Sequence, residues 1–274
     1  MRLFAISDLH TDYRGNRETL AALSAQEYGD DALIVAGDVS HDEQVLRDTL
    51  ALLRERFAEL FFVPGNHELW LRGGGFDDSL QKHDAVLGWC AELGVRTTPT
   101  LLPKAALGGV WVYPLLSWYA KPEESEDSLY INKPGEDPSL WMWSDEALVR
   151  WPAALQGRAA AAMVRRNEAH AAPRDGRPVV SFSHFLPRSD LIRRTPDEIA
   201  AEGPGPKDRH PPFNFSRVAG TAALDRLVRT LGARVHVYGH QHRNRDREVM
   251  GVRYVSHCLG YPGECGVTAP LRVW

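Results

Sequence analysis

"VYGHQH", Val237 to His242, closes an alternating run of apolar residues, Ala233 to Tyr238, and follows it with a glycine and two histidines two residues apart. Side chains just beyond the carboxyl end of a strand are held by the sheet behind them, and in open α/β sheets that rim is where ligands bind. Whether these two imidazoles mark such a rim depends on how the other strands of the chain end.

They end alike. "RLFAI" (2–6) leads into Asp8 and His10, and "ALIVA" (32–36) leads through Gly37 into Asp38. "LFFV" (60–63) leads through Pro64 and Gly65 into Asn66 and His67, and "PVVSFS" (178–183) leads into His184. Gly37, Gly65 and Gly239 each stand just before a candidate ligand, where a sharp turn or a close backbone approach leaves no room for a Cβ. Helical spacing fills the gaps: Arg17 to Glu27, then Glu43 to Glu59 with Val45, Leu46, Leu50, Leu53 and Phe57 on one face, and later 222–231. Strands alternating with helices predict βαβ units and a largely parallel sheet, doubly wound by helices on both faces. "REVMGVRYVS" (247–256) predicts a hairpin turning at Met250-Gly251.

The middle of the chain breaks this rhythm. "GGVWVYPLLSWY" (108–119) reads as extended, and 121–146 is rich in Glu, Asp, Pro and Trp without a period. A helical look returns around Ala153 to Val164. We read 117–175 as a loop-and-helix insertion in a single domain spanning 1–274, because it has too few large apolar residues for a core of its own. Its tryptophans, with Trp111, Trp118, Trp141, Trp143 and Trp151 in or beside it, are expected to pack it onto the sheets. A second irregular stretch covers 202–215.

The 274 residues are 43% hydrophobic and 25% charged, which suits a globular chain with a real core. A net charge of -4 argues against a broad footprint for duplex nucleic acid. Cys90, Cys258 and Cys265 have no C-x-x-C spacing, so neither a disulfide framework nor a thiolate zinc site is expected, and a reducing cytoplasm is the expected setting. The first apolar run meets charge at Asp8, too early for a signal segment, and no uncharged apolar stretch suits a membrane span.

The rim offers oxygen and nitrogen donors without a thiolate, which suits Mn, Fe or Zn at a catalytic site. Asp38 is the natural bridge, since its two oxygens can each take one ion. Two ions ~3.5–4 Å apart can clamp an in-line displacement at phosphorus, and a water bound to them ionises near pH ~7.

The ordered series D-x-H, G-D, G-N-H-E, S-H and G-H-x-H, from Asp8 to His242, resembles the calcineurin-like metallophosphoesterase superfamily. Each motif is short; their order, at the ends of five strands, carries the resemblance. "LGYPGE" (259–264) also resembles a C-terminal loop of many members. The resemblance implies an α/β fold of two mixed β-sheets packed as a sandwich and flanked by helices, in place of one doubly wound sheet. It implies one metal on Asp8, His10, Asp38 and His242, and another on Asp38, Asn66, His184 and His240. His67 would act catalytically over the leaving-group oxygen. The implied activity is hydrolysis of a phosphate ester of a small metabolite or nucleotide by a hydroxide bridging the two ions. A phosphodiesterase or nuclease, or a protein phosphatase, of the same fold is the alternative. A non-enzymatic scaffold would be expected to have lost some of these residues. The arginines after His184 and His242 read as solvated surface, with Arg188 and Arg243 the first exceptions to consider for gripping phosphate, while His83 and His170 read as solvated and His41 as a turn residue. Oligomeric state is not legible.

Overall fold

The apolar runs become strands because both of their faces are buried. β1 (Leu3–Ile6), β2 (Ala32–Val35) and β3 (Glu59–Phe62) pair in parallel, with Ile6 opposite Val35 and Val35 opposite Phe62, so all three end at one level. β10 (Leu271–Arg272) adds an antiparallel edge to β1. The second sheet has the order β4 (Thr100–Leu102), β5 (Val110–Pro114), β6 (Val179–Phe182), β7 (Ala233–Tyr238), β9 (Val252–Ser256), β8 (Arg245–Val249). Its four central strands are parallel and its two edges antiparallel. The molecule, a computed structural model, is described for residues 1–105, 108–140, 143–170, 173, 175–203, 208 and 210–274; Trp141 lies outside these, as does part of 202–215.

Side-chain parity assigns the layers. Phe4, Ile6, Leu33, Val35, Leu60 and Phe62 pack under α3 (Glu43–Arg56) and α4 (Ser79–Glu92). Their neighbours Leu3, Ala5, Ala32, Ile34, Phe61 and Val63 meet Val112, Val180, Phe182, Val235, Val237 and Val255 of the other sheet. The outer face of that sheet, with Val179, Tyr238 and Tyr254, packs against Leu224 and Val228 of α7 (Ala222–Thr230). The chain is thus two mixed sheets packed face to face with helices outside, and the single doubly wound sheet is superseded. Periodicity alone cannot tell one parallel sheet buried by helices from two buried by each other.

Several elements depart from expectation. The helix expected over Arg17 to Glu27 divides into α1 (Arg14–Ala21) and α2 (Ala25–Tyr28), because the Ser24 hydroxyl caps a new start by accepting from Glu27 N–H at 3.4 Å. α4, β4 and β10 were not anticipated. His83, expected in solvent, is buried on α4 with Nδ1 3.0 Å from Asp84. Segment 117–175 carries α5 (Ser144–Leu148) and α6 (Ala159–Arg166). Trp118, Tyr119, Ala159 and Met163 pack there with Leu69, Phe185 and Val218, and Trp143 and Trp151 lie against that cluster. The three cysteines are free. No helix among the described residues is long and apolar enough to cross a membrane.

Candidate metal centre

The aligned strand ends deliver five motifs to one rim, and the backbone there is unusual. Asp8, His10, Asp38, His240 and His242 all have positive φ, between 43° and 73°. The one other non-glycine residue like this among the described residues is Met250, in the Met250-Gly251 hairpin turn, where such turns call for it. A left-handed residue with a Cβ costs about 1–3 kcal/mol, and such conformations persist where the surroundings over-determine them. Here backbone bonds do so: Asp8 N–H donates to Gly37 O and His10 N–H to Asp38 O, both at 2.9 Å. Gly239 is needed for space, since a Cβ there would lie 2.7 Å from Asp8 Oδ2.

The side chains converge in overlapping groups. Asp8, His10 and His242 offer donor atoms within 4.8 Å of one another, as do His10, Asp38 and His67, and again Asp38, His184 and His240. His10 Nε2 and His242 Nε2 are 3.0 Å apart, and His242 Nε2 is 3.4 Å from Asp8 Oδ1. On the other side His184 Nε2 lies 3.4 Å from Asp38 Oδ2 and 3.2 Å from Asn66 Oδ1. All seven residues expected as ligands therefore meet at one locus, with Asp38 common to two groups.

Outer contacts set which nitrogen faces inward. His184 Nδ1 donates to Ala36 O and His240 Nε2 to Val218 O, each at 2.9 Å, so those nitrogens carry protons and the other ring nitrogen of each is left for the centre. His242 Nδ1 is 2.7 Å from Glu264, in the "LGYPGE" loop, which leaves Nε2 toward Asp8. Glu68, fully buried, accepts four backbone N–H groups: Gly65 and Asp38 on one oxygen, Val39 and Ser40 on the other, at 2.7–3.0 Å. It clamps the Asp38 loop to the Asn66 loop. Burial, then Asp38, raises its pKa to about 7, while the N–H donors pull the other way.

Electrostatics shows a pronounced demand for positive charge. Burial opposes ionisation of Asp8 and Asp38, but His242 for the first and His184 for the second outweigh it and hold both carboxylates low. Burial likewise opposes charge on the imidazoles. In His184 it is overcome by Asp38 and the pKa rises to about 9; in His242 it is overcome by Asp8, and then Glu264, and rises to about 10. His10 and His240, where burial prevails, fall to about 4 and about 3. Two buried carboxylates ringed by inward-facing imidazole nitrogens and an amide oxygen fit a pair of borderline cations, which would displace the protons of His184 and His242.

His67 stands at the mouth. Its ring stacks on Trp70 at 3.7 Å, its backbone N–H donates to Asp38 Oδ1 at 3.0 Å, and its ring Nε2 is 3.9 Å from Asp38 Oδ2. Tyr261 packs 4.5 Å from His10 and 4.9 Å from His242, with Tyr13 5.7 Å further along, and both tyrosines are exposed. Glu68, Trp70, Asp145, Tyr13, Tyr261 and Glu264 are the site residues for which sequence reading assigned no role; the E of "GNHE" and of "LGYPGE" was the available signal. Arg188 is committed elsewhere, to Asp190 at 2.6 Å and Asp225 at 2.9 Å. Arg243 is exposed beside His242. His41 sits 3.3 Å from Asp12.

A sandwich of two mixed sheets carrying this donor set at one rim defines a metallohydrolase of phosphoric esters. The model of the calcineurin-like phosphoesterases matches residues 1–244, and the chain belongs to that family. It is 31% identical over 277 residues to the acyl-carrier-protein phosphodiesterase PptH of Mycobacterium tuberculosis, across 96% of this chain and 78% of that protein. The crystal structure of Phosphopantetheinyl Hydrolase (PptH) from Mycobacterium tuberculosis superposes with a TM-score of 0.73 at 27% identity, covering 96% of this chain and 90% of that one. The chain is accordingly a metal-dependent phosphoric ester hydrolase.

Proposed function

We propose that the chain is a phosphodiesterase that releases a phosphopantetheinyl group from an acyl carrier protein. The observation that carries this reading is the 31% identity to PptH extending over 96% of the chain, insertion included. In this reading 1–274 is one domain, and 117–175 is an insertion that helps shape its site. A cavity of about 410 Å³ lined by Trp118, Lys121, Asp145, Arg150 and Trp151 lies on the insertion side. Another of about 340 Å³ is lined by Phe213, Phe215 and Arg193, and Phe215 packs 5.3 Å from His240. Such space suits a substrate with a long arm better than a bare phosphate.

The ligand reading is the one the motifs implied: Asp8, His10, Asp38 and His242 for one ion, Asp38, Asn66, His184 and His240 for the other, drawn from Mn, Fe or Zn. When bound, such ions polarise phosphoryl oxygens and supply an ionised water at neutral pH. The chain does the rest. Asp38 holds the two half-sites in register. The Trp70 stack keeps His67 over the leaving oxygen, to which it donates a proton as the P–O bond breaks. That contribution is worth about 10²–10⁴ in rate. Tyr13 and Tyr261 form an aromatic wall beside His10 and His242.

The test is incubation of the metal-loaded protein with phosphopantetheinylated acyl carrier protein, followed by intact mass. Loss of the phosphopantetheinyl mass with recovery of an unmodified serine is expected. Turnover of nucleotides or small phosphomonoesters with an untouched carrier protein would return the substrate to the small-metabolite class.

A further inference from the structure

We propose that Asp145, at the start of α5 in the insertion, is the positioning residue for the Asn66 side of the metal centre. Asp145 is 2% exposed. Its Oδ1 accepts from Asn66 Nδ2 at 3.0 Å and from the Trp70 indole at 2.6 Å, and its Oδ2 accepts from the Trp143 indole at 2.7 Å. One buried carboxylate thus reaches three parts of the site. Asn66 turns its Oδ1 toward His184 Nε2 at 3.2 Å, Trp70 carries the His67 ring at 3.7 Å, and Trp143 stands edge-on to His240 at 5.9 Å.

The amide contact decides the role. A free Asn side chain can present either end inward, and only its oxygen can ligate a cation. With Nδ2 committed to a carboxylate, Oδ1 must face the centre. A partner behind a ligand of this kind commonly governs metal affinity by 10- to 100-fold. No local motif announces Asp145, since it lies 79 positions from Asn66. The 117–175 segment therefore closes one half-site from behind, and does more than cover the sheets.

The inference rests on the ligand assignment proposed above, and the test separates the two. Metal-stripped full-length chain is titrated with Mn²⁺ by calorimetry. Wild type is expected to take two ions; fewer than two would fail the ligand assignment itself. In Asp145→Ala one binding event is expected to weaken by about 10- to 100-fold with the other within about threefold. In an Asn66→Ala background the same change is expected to add nothing. Unchanged affinity for both ions, or an equal loss at both, would overturn the role of Asp145. A second variant guards against misfolding. Asp145→Asn is nearly isosteric and can keep its oxygen toward Asn66 and Trp70, but it sets an N–H₂ against the Trp143 indole N–H. Pairing it with Trp143→Phe removes that clash. The pair is expected to bind both ions within about threefold of wild type; a loss confined to one ion despite the retained acceptor would contradict the proposal.

Discussion

Glu68→Gln changes one atom and tests how the rim is held together. In the native chain each carboxylate oxygen accepts two backbone N–H groups, from Gly65 and Asp38 on one side and Val39 and Ser40 on the other. A glutamine amide has one accepting end, so in either orientation two N–H groups meet an N–H₂ donor. The site is fully buried, so no solvent takes their place. Leaving a buried donor unpaired costs about 1–3 kcal/mol, so two of them give roughly 2–6 kcal/mol. For a chain of this size each kcal/mol moves the melting temperature by about 2–4 °C, which predicts a fall of order 10 °C. The assay is thermal unfolding of metal-stripped protein, paired with Mn²⁺ titration, since Asp38 rides on the released loop. A melting point within about 2 °C of wild type, with both affinities unchanged, would show that Glu68 does not hold these loops.

His67→Ala is expected to keep both ions and lower kcat by about 10²–10⁴ with a much smaller change in KM, most strongly for poor leaving groups. A wild-type rate on a poor leaving group would remove His67 from proton transfer. Glu264→Ala removes the partner of His242 Nδ1 and is expected to weaken one ion by about 10- to 100-fold; unchanged Mn²⁺ binding would show that the contact is incidental. For pH, His184 and His242 are raised to about 9 and about 10, above the ordinary histidine value. Their protonation stabilises the metal-free fold below about pH 6.5, and that stability is lost as pH rises through about 9 and 10. Metal must displace the same protons, so Mn²⁺ affinity is expected to climb from pH 6 to 9 with proton release measurable in buffers of different ionisation enthalpy. A flat affinity, or proton uptake, would contradict the electrostatic reading.

What the sequence disclosed and what it withheld have physical causes. The strands β1, β2, β3, β6 and β7 were legible because burial on both faces leaves continuous apolar runs. Three of their termini were marked by a glycine before the candidate ligand, left-handed at Gly37 and tightly approached by Asp38 at Gly65 and by Asp8 at Gly239. α4 escaped because the first half of its inward face carries Ser79, Lys82 and His83, ahead of Val86 and Cys90. Lys82 is satisfied there by the carbonyls of His41 and Trp70, at 2.8 and 2.7 Å, which no apolar period could announce. β10 is two residues long. The division into two sheets is a property of pairing between distant segments, and it entered through the resemblance rather than through periodicity. The residues expected as ligands could be found because each follows a strand in a short motif. Asp145 could not, because it sits in an unpatterned stretch and its partners arrive from elsewhere in the chain.

On this reading Asp38 joins two cation half-sites, each drawing its donors from the ends of strands in both sheets. Anomalous diffraction from a crystal of the Mn²⁺-loaded protein tests it most directly. Two peaks ~3.5–4 Å apart are expected, one on each side of the Asp38 carboxylate. A single peak, or two peaks with Asp38 touching neither, would contradict it.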